Sequence, residues 1–132
     1  MRSSLAALAL AAASALCATA MAAAPDLSLL KLPSGFRIEV WADGVDNARS
    51  MVRSDSGTVF VGTRTAGKVY AIREREGRRE VRVIAQGLNV PNGVALQGGA
   101  LYVAENDKIS RYDDIESKLD APSAPALVTK LS

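Results

Sequence analysis

The sequence predicts an all-β fold and, within that class, part of a β-propeller. Three observations lead there. Short runs of β-branched and aromatic residues recur at even intervals. Gly- and Asp-containing turn clusters separate them. The pattern also repeats along the chain at an offset of 43, falling to 42 and then 40. That is the period of a four-stranded blade, about 40–50 residues.

The repeat is legible residue by residue. Ile38–Val45 matches Val81–Leu88 at 43, with Gly44 on Gly87, and the offset continues through Met51 and Val94. Thr58–Val61 matches Ala100–Val103 at 42, and Lys68–Tyr70 matches Lys108–Ser110 at 40. The strands predicted in order are 36–42, 48–54, 58–63, 68–74, 80–86, 93–97, 100–105, 108–112 and 126–130. Turns are expected at Asp55–Gly57, Thr65–Gly67, Glu76–Arg78 and Gly98–Gly99, each carrying a Gly that tolerates turn backbone. A β-sandwich or small barrel would use similar strands, but neither requires an in-register repeat. One segment departs from the pattern. Asp113, with Glu116 three residues on, resembles a capping box, so a short helix to about Leu119 is expected before Pro122 and Pro125 restore extended chain.

Residues 1–22 read as a secretory signal peptide, with Arg2 before an Ala/Leu stretch over 5–16 and Ala20-Met21-Ala22 as the cleavage site. The stretch is short and weakly apolar for a membrane span, so no stable span is expected. A lipid anchor on Cys17 fits poorly, because Ser14 and Leu16 occupy the flanking signal positions. The protein is therefore expected to be periplasmic or secreted. Residues 23–35 form a lead-in, and 36–132 the propeller portion. Cleavage removes the only Cys, leaving no disulfide or thiol chemistry.

Charge is balanced, 16 Lys+Arg against 14 Asp+Glu, and aromatics are sparse. No nucleic-acid surface is expected from that balance. The chain has no His, which excludes His general-base catalysis and His-ligated metals within it. A propeller closes with about four to eight blades. Two copies with a single strand before them are therefore expected to be the N-terminal part of a longer protein, 36–42 serving as the closing strand of the last blade.

Loops at one end of a propeller channel line the site. Here these are Asn47–Ser50, Pro91–Gly93, Thr63–Thr65 and Glu105–Asp107. They bring Arg49, Arg64, an amide at Asn92 and a carboxylate toward one axis. Arginine forks suit planar carboxylates and quinone oxygens.

Leu32–Val40, Gly62–Tyr70, Gly87–Ala95, Leu101–Glu105 and Arg111–Ile115 together resemble the opening of the glucose/sorbosone dehydrogenase family, closest to its L-sorbosone dehydrogenase-like branch. The resemblance implies a six-bladed propeller. It implies pyrroloquinoline quinone (PQQ) with Ca²⁺, oxidation of aldoses or related sugars, and an external electron acceptor. In that family a His takes the hydroxyl proton, and it lies beyond the second blade, so no catalytic residue is assigned here and the chain alone is expected to be inactive. Asn92 is implied as the amide beside the cofactor, with Arg64 and Arg49 as candidate cofactor contacts. No metal ligand is assigned. Two alternatives remain open. One is a metal-dependent hydrolase of the gluconolactonase or strictosidine synthase kind, with Glu105 and Asn92 as ligands. The other is a non-catalytic binding propeller.

Overall fold

The structure, a computed structural model, describes residues 25–132. The expected signal peptide lies outside the described residues. Within them there is no α-helix; eight strands form two four-stranded antiparallel sheets, each in sequential order. The first sheet comprises β1 (Ala48–Arg53), β2 (Val59–Thr63), β3 (Val69–Arg75) and β4 (Arg78–Ala85). The second comprises β5 (Gly93–Gln97), β6 (Ala100–Ala104), β7 (Lys108–Tyr112) and β8 (Ala126–Lys130).

Turn chemistry sets these pairings. Glu76-Gly77 and Gly98-Gly99 are two-residue loops with positive φ at both positions. Such loops match the right-handed strand twist and lock the register on either side. The first explains why β4 starts at Arg78 rather than 80: the ladder runs down to the Arg75–Arg78 pair. Alternation then sorts the side chains. Phe60, Val69, Ala71 and Ile84 leave the first sheet on the face that meets Leu101, Val103 and Tyr112 of the second. Phe60 and Leu101 are fully enclosed, each burial contributing about 2–3 kcal/mol.

The repeat persists at the level of backbone irregularities. Between β3 and β4 the register slips after Val69, leaving Ile84 as the extra residue. Between β7 and β8 it slips after Ile109, leaving Val128 extra. Beyond each last strand the chain takes the same turn: Leu88 N–H donates to Gly67 O at 3.0 Å, and Leu131 N–H to Asp107 O at 2.8 Å. Before each first strand an Asn clamps the facing loop. Asn47 Oδ1 accepts from the amide and hydroxyl of Thr65, and Asn89 Nδ2 donates to Asp107.

Two expected elements differ. Segment 36–42 is not a strand: it pairs with neither sheet. Its placement follows the repeat all the same. Ala42 and Val45 pack on Val61, Tyr70 and Ile72 of the first sheet, as their counterparts Ala85 and Leu88 pack in the core between the sheets. The helix expected from Asp113 is a single 3-10 turn, Ile115–Lys118. Its N-cap is Asp114, in left-handed backbone and without a side-chain cap bond. Glu116 does not reach back; it accepts from Thr58 Oγ1 of the first sheet at 3.0 Å. The turn also drives Ile115 and Leu119 into the core, so it fastens one sheet to the other.

Candidate functional site

One end of both sheets gathers the start of β1, the end of β2, the start of β5 and the end of β6. The sequence placed its candidates at this end. Arg49, on β1, and Arg64, just after β2, flank the paired residues Ala48 and Thr63. Both are exposed, and neither is met by an acid among the described residues. Asn92 is exposed just before β5, and its Oδ1 accepts from Ser50 Oγ at 3.3 Å. Ser50 therefore ties the Asn92 amide to the strand that carries Arg49. No hydrogen bond joins the two arginines or links either to Asn92.

The segment leading into β5 is held from several sides. Pro91 is fully buried, and its carbonyl accepts from Thr63 N–H at 3.0 Å. Asn92 N–H donates to Val90 O at 2.7 Å, a three-residue turn centred on Pro91. Gly62 lets this backbone lie close: a Cβ there would meet the Pro91 and Asn92 carbonyl oxygens at 2.5 Å. Val90 carries φ +52°, which is unfavourable for a β-branched residue. Surroundings that over-determine a segment are what sustain such strain, and strain of this kind clusters at ligand clamps.

Glu105 is the buried charge of this end, its side chain 1% exposed. Its Oε2 accepts from Asn89 N–H at 2.7 Å, and Lys108 Nζ stands 3.4 Å from Oε1. Burial, and after it the Glu105 charge, raises the Tyr112 hydroxyl above the ordinary phenol range. Sequence reading offered Glu105 as part of a channel loop and as an alternative metal ligand. Its anchoring role was signalled by alternation, which puts Leu101, Val103 and Glu105 on one face, the buried one. Gly62, inside an otherwise β-branched strand, was a second available signal of close backbone approach.

The opposite end carries different chemistry. Clefts of about 510 and 520 Å³ open there, both lined by Arg53, Ser56 and Glu116. On the core-facing side of β3 and β4, Glu80 bridges Arg73 and Arg82, and both arginines also meet Asp120. Hydrogen bonds from Arg82 and then Arg73 hold the Glu80 carboxyl down to about 2. A third cleft, about 370 Å³ and mostly apolar, lies on the outer face of the first sheet between residues 40–46 and Met51, Val61 and Ile72. No helix among the described residues is long and apolar enough to cross a membrane.

The chain is similar to an uncharacterized protein of Borreliella burgdorferi, 26% identical over 94 residues, which is 70% of this chain. The match spans 24% of that protein's length. No family model and no solved structure matches the chain.

Proposed function

We propose that the two sheets are consecutive blades of a six-bladed β-propeller, and that the chain is the N-terminal part of a periplasmic PQQ-dependent sugar dehydrogenase. The observation that carries the propeller reading is the repetition of the bulge, the exit turn and the Asn clamp from one sheet to the next. A sandwich has no need of such repetition, whereas blades propagating around an axis do. The 370 Å³ cleft supports it as well. It lies where the inner strands of a preceding blade would pack, with Val40, Trp41 and Ala42 along one wall.

Support for the activity comes from the donors at the Asn92 end. Arg49, Arg64 and the Asn92 amide offer N–H groups with no acid beside them, which fits a cofactor bearing several carboxylates and carbonyl oxygens. When bound, the quinone accepts hydride from the sugar. This chain's residues would hold and orient it, and the proton acceptor, like the Ca²⁺ ligands, is assigned to other blades. The described residues do not fit a Ca²⁺ cage, since Glu105 faces a lysine and a backbone amide. That same geometry weighs against the metal-dependent hydrolase with Glu105 as ligand.

The test is reconstitution of the longer protein with PQQ and Ca²⁺, followed by dye reduction with a panel of aldoses. Turnover that needs both additives is expected. Metal-dependent lactone hydrolysis without quinone would overturn the reading.

A further inference from the structure

We propose that Glu105 is a positioning residue: its buried carboxylate holds segment 88–92 in the strained form that presents the Asn92 amide to ligand oxygens. This deepens the ligand-binding reading of this end and rests on it.

The comparison with the first sheet shows why the charge is there. The position corresponding to Glu105 is Thr63, at an offset of 42. Thr63 is also buried, and its hydroxyl closes its own loop by donating to Lys68 O at 2.7 Å and accepting from Lys68 N–H at 2.9 Å. A sheet of this kind therefore closes that loop without a charge. Glu105 instead reaches back 16 residues to the Asn89 amide. An enclosed carboxylate is costly unless it is paired and its bonds are needed; here Lys108 Nζ stands 3.4 Å from Oε1, and Oε2 is left for the Asn89 amide. What the bond secures is the residue before Val90, whose left-handed backbone opposes its own β-branched side chain. Downstream, Ser50 occupies Asn92 Oδ1, which leaves the Asn92 NH₂ as the outward donor. The chain of support runs from Glu105 through Asn89, Val90 and Pro91 to that amide.

The test uses the purified chain and three variants: Glu105→Gln, which keeps an acceptor; Glu105→Thr, the first sheet's solution; and Glu105→Ala. Amide exchange at Asn89, the Asn92 side-chain NMR signal, exchange at Phe60 and Val103, and affinity for PQQ are read together. In Ala and Thr, Asn89 exchange is expected to rise at least about tenfold, the Asn92 signal to move, and PQQ to bind about tenfold more weakly. Phe60 and Val103 stay protected, and Gln restores most of each effect. An unmoved Asn92 signal in Ala and Thr would sink the proposal. So would core deprotection in all three variants, or titration with CaCl₂ that shows binding lost in Gln. Failure of the unaltered chain to bind PQQ defeats the cofactor assignment alone; the Asn89 and Asn92 signals still decide the positioning role.

Discussion

The two sheets share a plan and spend it differently. In the first, the β2–β3 loop is tied to itself by Thr63, and β3 and β4 continue as a long charged hairpin. In the second, Glu105 reaches back to Asn89, and β7 and β8 are joined through a 3-10 turn that plugs the core. Both sheets close this loop locally, the second through Glu105 and Lys108, but only in the second does the same side chain also reach the segment that joins the sheets. Identical topology leaves room for one sheet to act as scaffold and the other as the presenter of a side chain.

The sharpest way to break this comparison is to make equivalent changes in both sheets. Phe60 is enclosed between the sheets; its counterpart Tyr102 is half-buried on the outer face of the second. Phe60→Ala is expected to cost about 3–5 kcal/mol and Tyr102→Ala about 1 kcal/mol, read by urea unfolding. Gly62 and Ala104 come next. Gly62→Ala drives a Cβ into two backbone carbonyls, an expected loss of about 3 kcal/mol. Ala104→Gly should cost about 0.5–1 kcal/mol, mainly through chain entropy. Similar losses in both members of either pair would remove the asymmetry.

A gain is expected at Val90. Asn47, before the first sheet, adopts left-handed backbone that Asn tolerates, whereas Val90 adopts it against preference. Val90→Asn should stabilise the chain by about 1 kcal/mol in thermal unfolding. If the strain serves the Asn92 amide, PQQ affinity should not improve with it.

The smallest effect concerns acid. The folded Glu80 carboxyl lies at about 2, below its ordinary 4.5. Its contribution is therefore present above pH 4.5 and is lost as pH falls from there toward 2. Glu80→Gln should flatten that part of the melting-temperature profile, and an unchanged profile would show that the Arg73–Glu80–Arg82 bridge adds nothing in solution. The exposed residues of the second sheet's last strand offer no counterpart.

Most of the strands were legible because period-two patterns and turn residues are local signals. Residues 93–97, 108–112 and 126–130 fall where the pattern put them, and the others shift by at most two positions. Segment 36–42 shows the limit of local signals. Its residues suit a strand, and Ala42 and Val45 pack as the repeat expects, but the segment makes no ladder. The turn at 114–118 shows another limit. The Asp–Glu spacing matches a capping box, yet Asp114 adopts left-handed backbone and Thr58, far away in sequence, claims Glu116. At the candidate site, the shared location of Arg49, Arg64 and Asn92 followed from the repeat. The strain at Val90 did not, because Val is among the last residues one would choose for that backbone.

The unpaired segment 36–42 has a consequence for handling. Phe36-Arg37-Ile38-Glu39-Val40-Trp41 combines high β-propensity with a place outside either sheet, a ready template for intermolecular pairing. Arg37 and Glu39 alternate with its apolar residues and act as gatekeepers. They counter the tendency of this stretch to pair with other copies of the chain.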